Sequence, residues 1–231
     1  MATVIGVIGE SGSGKTTSLR NLDPSTTYII DADGKGLCWR GWRNQYNKAA
    51  KNYSRIDMQQ RVVNYMRYAN DQMPHIKTVV VDTINGVMVA EERAHKDEKN
   101  YDKWADLAWN IWDIITYANT MRDDMVVVLC AHSETVDDDN GRRFTRILTN
   151  GRKLNKLKPE TKMRAVLHAY RDDDGNYVFG VHSRDSIAKV PFGLYDDVET
   201  VPNDLAKVIA DFREFDGSEP DGEVDDAETE A

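Results

Sequence analysis

Gly9-Glu10-Ser11-Gly12-Ser13-Gly14-Lys15-Thr16 follows the spacing G-x-x-x-x-G-K-[ST]. Glycines at these places let backbone N–H groups curl round phosphate oxygens. A lysine there reaches the β and γ phosphates, and the hydroxyl beside it ligates Mg²⁺. The loop therefore predicts that ATP and Mg²⁺ are bound through Gly9 to Thr17. A second piece of the same chemistry is Val79-Val80-Val81-Asp82, an apolar run that ends in a carboxylate. Standing alone, such an acid can equally cap a helix. After a phosphate loop it reads as the acid that enters the metal's coordination sphere, so Thr16 and Asp82 are the metal-ligand candidates.

These residues need strand ends to hold them. Thr3 to Ile8 reads as a buried strand running into the loop, and a helix carrying Leu19 and Leu22 is expected after it. Thr27 to Asp31 is a second apolar strand. A helix with Met58, Val62, Met66, Ala69 and Met73 at helical spacing leads to the strand from Ile76 to Val81. A helix from Trp104 to Tyr117 leads to Met125 to Cys130, which ends near His132. Strands alternating with helices predict an α/β fold with a mainly parallel sheet flanked by helices. Further on, Ala165 to Tyr170 and Tyr177 to Ser183 flank Asp174-Gly175, an antiparallel hairpin signal. Asn203 is placed to cap a last helix that buries Leu205, Val208, Ile209 and Phe212.

Composition narrows the class. The net charge is -9, but eight acids and no base lie between Asp216 and Glu230, so the rest of the chain is near neutral. Residues 1–214 are expected to form one domain and 215–231 an acidic disordered tail, because so few apolar residues cannot offset ordering entropy. Cys38 and Cys130 have no metal-ligand spacing. No window approaches a membrane span, and no leader pattern precedes the first strand. The expected location is cytoplasmic, with no membrane partner.

GESGSGKTT, VVVDT, VVLCAHSET, GRKLNKLKPETKMRAVLHA and HSRDSIAKVPFGL followed by PNDLAKVI together resemble the small phage-encoded RecA-like P-loop proteins, including those of single-strand annealing. The resemblance covers most of residues 3 to 212. It implies a RecA-like P-loop NTPase core that hydrolyses ATP, binds single-stranded DNA as a ring or filament, and serves phage recombination or replication in the host cytoplasm. A single-strand-binding protein or recombination partner would then be a further contact. Asp33 falls where RecA carries its catalytic glutamate and is implied to orient the attacking water, one methylene shorter, with Asp31 in reserve. His132 falls at the polar γ-phosphate sensor. Arg184, or else Lys189, is implied to reach the next protomer's nucleotide, completing a catalytic set of Lys15, Asp33, Asp82, His132 and Arg184.

Arg142 to Arg164 holds nine basic residues and one acid, where RecA-like proteins place a DNA-binding loop. The DNA-contact candidates are Arg142, Arg143, Arg146, Arg152, Lys153 and Lys156, with Phe144 for base stacking. Trp39, Trp42, Tyr46 and Tyr53 alternate with bases and read either as a stacking platform or as packing. The rival functions are a small-molecule or nucleotide kinase, for which residues 142–164 would be a lid, and a nucleotide switch with little hydrolysis. No LSGGQ-like signature favours a transporter subunit.

Overall fold

Runs of β-branched residues build the sheet. The computed structural model describes residues 1–97, 103–137, 141–149 and 156–217, with residues 103–106 as backbone only. The strands are β1 (Thr3–Gly9), β2 (Thr27–Asp31), β3 (Tyr53–Arg55), β4 (Thr78–Asp82), β5 (Val126–Asp137), β6 (Arg143–Ile147), β7 (Ala165–Arg171), β8 (Tyr177–Gly180) and β9 (Thr200–Pro202). They form one sheet in the order β3-β2-β4-β5-β1-β7-β8-β9, with β6 paired to β5. From β3 to β7 neighbours run parallel, whereas β8, β9 and β6 join antiparallel. The expected α/β fold, mainly parallel with an antiparallel C-terminal extension, is the fold observed.

Burial on both faces explains why the central strands are apolar at nearly every position rather than at alternate ones. On one face Val4, Val79, Val81, Val127 and Leu129 pack under α2 (Gln59–Gln72), α3 (Ile84–Ala94) and α4 (Lys103–Thr120). On the other, Ile5, Val7, Val80, Val128 and Leu167 pack under Leu19, Tyr46 and α5 (Leu205–Phe215). Among the described residues no helix is long and apolar enough to cross a membrane.

Several local expectations are corrected. After the phosphate loop comes a single 3-10 turn, Thr17–Asn21, rather than a longer helix. Leu22 is already extended at φ -65°, ψ 140°, because Asp23 precedes Pro24 and is kept out of the helical region. The last helix is capped by Asp204, whose carboxylate accepts from the Ala206 N–H, so Asn203 is not its cap. The alternating rings are packing rather than a stacking platform. Tyr46 is fully buried and its hydroxyl donates to Leu22 O at 3.0 Å. Trp39 meets Tyr46 edge-on, and Trp42 leans on Tyr53 with centroids 5.2 Å apart. The short α1 (Trp42–Gln45) carries Trp42, whose ring lies 4.8 Å from the exposed Arg43 guanidinium, and Arg40 and Lys48 are exposed. The acidic tail beyond residue 217 lies outside the described residues.

Candidate active site

Register brings the chemistry to one edge. Gly9 pairs with His132 across β1 and β5, Asp82 with Cys130 across β4 and β5, and Asp31 with Asp82 across β2 and β4. The carboxyl-terminal ends of β1, β2 and β4 thus meet beside the loop, with His132 of β5 next to them. Ligands of open α/β sheets bind at this edge.

The loop needs its glycines. Gly14 has φ +98°, and a Cβ there would stand 3.0 Å from the Tyr177 ring. A Cβ on Gly9 would meet Ser13 Oγ at 2.4 Å and Ala169 O at 2.5 Å. Glu10, Ser11 and Gly12 are exposed at the rim, while Ser13, Gly14, Lys15 and Thr16 are buried. The Lys15 ammonium donates to Gly9 O at 2.7 Å and Glu10 O at 2.8 Å, and it lies 3.4 Å from His132 Nδ1. Burial pushes the Lys15 pKa down, and an anionic phosphate beside it would favour the charged ammonium. Thr17 Oγ1 lies 3.2 Å from Cys38 Sγ.

Thr16 Oγ1 donates to Asp82 Oδ2 at 2.7 Å. Asp82 is fully buried and, among the described residues, its Oδ1 has no hydrogen-bond partner, nor has the buried Ser13 Oγ. Burial pushes the Asp82 carboxyl up from the usual carboxylate range. A buried oxygen of this kind, beside a threonine hydroxyl, is what a Mg²⁺ ion and its waters would satisfy. The residues present fit Mg-ATP: Thr16 and Asp82 on the metal side, Lys15 and the loop N–H groups on the phosphates.

The two acids after β2 separate clearly. Asp31 is buried, and its carboxylate accepts from Gly34 N, Gly36 N and the Tyr53 hydroxyl at 2.8, 2.8 and 2.6 Å. It braces the turn. Asp33 faces the cleft instead, taking Thr83 Oγ1 at 2.8 Å on Oδ1 and Lys35 Nζ at 2.6 Å on Oδ2. Burial would raise its pKa, but Lys35 and Thr83 outweigh that and hold it below the usual range. Asp33 and His132 open onto a cleft of about 710 Å³ that continues along α3 past Asn85, Gly86 and Arg93. Burial and the Lys15 charge keep the His132 imidazole neutral-leaning, with its pKa below the usual histidine value.

The family model described as an AAA domain matches residues 1–188. The chain belongs to that family. No curated protein matches it. As an AAA domain the chain is a nucleotide-binding ATPase, and the match takes in the phosphate loop, Asp82 and His132. It stops before β9 and α5, which pack beneath the loop: Arg20 donates to Asn203 O at 2.9 Å and Asn21 to Asp204 at 2.7 Å.

Other predicted residues of this AAA domain are more scattered. Strand β5 does not stop at Cys130. It continues to Asp137 and returns as β6, a hairpin reaching past the sheet edge. Arg142 at its start pairs with Asp185 at 2.7 Å and also donates to Arg184 O. Arg143 is exposed, Phe144 lies opposite Val136, and Arg146 pairs with Glu134 at 3.0 Å. Lys156 is exposed, whereas Arg152 and Lys153 lie outside the described residues. The basic run is not one surface. Arg164 sits at the opposite edge of the sheet, where its N–H bonds Val4 O and its guanidinium pairs with Asp216. Arg184 is exposed beside a second cavity of about 830 Å³ shared with His168 and Lys189. Asp185 is engaged by Arg142.

Two residues escaped the sequence reading. Lys35 forms the ion pair on Asp33, and only its nearness to that acid in the turn could have suggested it. Asn85, the second residue of α3, accepts from His132 N at 2.7 Å and donates to Leu148 O at 2.8 Å. Its amide ties the helix that follows Asp82 to both roots of the hairpin, a long-range juxtaposition without a local signal.

Proposed function

We propose that the chain is a RecA-like ATPase that hydrolyses Mg-ATP as an oligomer and binds single-stranded DNA along the β5–β6 hairpin, in phage recombination or replication of the single-strand annealing type. The observation that carries this reading is the continuity of β5. One strand runs from His132, 3.4 Å from the phosphate-loop lysine, to a hairpin with Arg142, Arg143 and Arg146. A change at His132 between nucleotide states is transmitted along that strand to the polymer contact, which is the coupling a DNA-dependent ATPase requires.

Each residue has a task in the reaction. Lys15 and the loop N–H groups hold the β and γ phosphates, and Thr16 and Asp82 hold the metal. Bound Mg²⁺ supplies neutralisation of charge on the phosphate oxygens. Asp33 orients the attacking water and takes its proton. His132 reads the γ-phosphate, and Arg184 serves the neighbouring protomer's site.

A kinase reading draws on the cleft beside Asp33 and His132, where an acceptor would fit. Single-strand binding separates the two. Affinity for a polythymidine oligonucleotide should fall with salt at a slope of about -0.7 per phosphate neutralised, or roughly -3 for four or five contacts. Replacing Arg142, Arg143 and Arg146 with Ala should flatten the slope. An unchanged slope and affinity would remove the hairpin from the DNA path.

A further inference from the structure

Lys35 is a second cation in the catalytic cluster, and its mounting is unusual. The backbone on both sides of it is fastened to one buried carboxylate, since Asp31 accepts from Gly34 N and from Gly36 N, each at 2.8 Å. Asp31 is itself fixed by the Tyr53 hydroxyl at 2.6 Å. The turn is therefore held at the root of Lys35, while the side chain is half-exposed and ends on Asp33 Oδ2 at 2.6 Å. The other Asp33 oxygen holds Thr83 Oγ1 at 2.8 Å, so the ammonium lies one carboxylate away from the residue that follows Asp82. Its charge is felt at Lys15, Asp82 and His132. A solvated surface lysine would need no such anchorage.

The pair with Asp33 has a competitor once a triphosphate is bound. A terminal phosphate carries about two negative charges, against one on the carboxylate. The ion pair with Lys35 also makes Asp33 a weaker acceptor for a water proton, because an ammonium beside a carboxylate favours its unprotonated form.

We propose that Lys35 is a phosphate-contacting cation of this site, exchanging its ion pair with Asp33 for the terminal phosphate of a bound nucleoside triphosphate and so releasing Asp33 Oδ2 toward the attacking water. The release rests on the hydrolytic role of Asp33 given above; the phosphate contact does not. In the step served, the water oxygen bonds to the γ-phosphorus and the bond to the βγ-bridging oxygen breaks. Its electron pair leaves on ADP, and the water proton passes to Asp33. Because Lys35 meets only the terminal phosphate, it distinguishes the triphosphate from the diphosphate.

The test is the ratio of affinities for the Mg²⁺ complexes of the β,γ-imido analogue of ATP and of ADP, by calorimetry, in the wild type, Lys35→Met and Lys35→Arg. Lys35→Met should lose about 10- to 100-fold in analogue affinity, the range of one charge-assisted contact, with ADP affinity almost unchanged. Lys35→Arg should retain most of the preference, and ATP turnover of Lys35→Met should fall at least as far as its analogue affinity. An unchanged ratio in Lys35→Met would overturn the proposal. So would faster turnover, the mark of a lysine that only restrains Asp33, or an equal loss of ADP in both variants, the mark of a lysine that only shapes the turn. If the wild type binds the analogue but does not hydrolyse ATP, the hydrolytic reading fails while the ratio still decides the phosphate contact.

Discussion

Replacing Asn85 with alanine removes one amide and strands two backbone groups, the His132 N–H and the Leu148 C=O, now bonded at 2.7 and 2.8 Å. Asn85 is buried, but Leu148 is exposed, so water can reach one of the two groups more easily than the other. At about 1–3 kcal/mol for each polar group left unsatisfied, with the wetter one at the low end, the loss sums to about 2–4 kcal/mol. Urea unfolding should show this as a lower midpoint at unchanged slope. The same amide bridges α3 to both roots of the hairpin, so Mg-ATP affinity should stay within a few fold while stimulation of turnover by single-stranded DNA is lost. A stability change within about 0.5 kcal/mol, the usual range of an inconsequential surface substitution, would refute the energetic argument. Intact stimulation in a destabilised variant would refute the coupling.

Three further substitutions probe the site. Gly86→Ala puts a Cβ 2.5 Å from Ala32 O and 2.8 Å from Asp33 Oδ1. Backbone cannot rotate aside as a side chain can, so thermal or urea unfolding should show a loss of about 1–3 kcal/mol, with turnover falling more than nucleotide affinity. Asp33→Asn should leave nucleotide affinity within a few fold and stop hydrolysis in a phosphate-release assay; full turnover would take the water-orienting role away from Asp33. Arg184→Ala should lose most hydrolysis while keeping ATP binding, and mixing it with Lys15→Ala should restore part of the activity at shared interfaces. No recovery despite co-assembly would exclude action across protomers.

Much of the site was legible because its signals are local. The loop, the β4 acid and the apolar strands before them are contiguous patterns, and parallel strands buried on both faces announce themselves as unbroken runs. Asp33 and His132 were singled out through the resemblance to RecA-like proteins, each lying just after a strand. What failed depended on distance in the chain or on a few residues of turn chemistry. Asp31 and Asp33 look alike in sequence, and only the N–H groups of Gly34 and Gly36 and the Tyr53 hydroxyl tell them apart. The run from Arg142 to Arg164 is strongly positive, yet β6 takes its start to the phosphate edge and the approach to β7 takes Arg164 to the other. The β5–β6 hairpin was hidden because its strands, from Ser133 to the buried Ile147, are largely polar and only partly buried. Asn85 makes its bonds 47 and 63 residues away, so no window could contain them.

The proposed function makes this AAA domain a hydrolytic engine whose phosphate edge answers to a single strand of DNA on the hairpin. Steady-state release of phosphate from Mg-ATP, measured with and without a polythymidine oligonucleotide, tests it most directly. Turnover should rise with the oligonucleotide, disappear in Lys15→Ala, and lose its rise but not its basal rate when Arg142, Arg143 and Arg146 are replaced together. Turnover indifferent to the oligonucleotide, or phosphate transferred to a small-molecule acceptor instead of water, would contradict it.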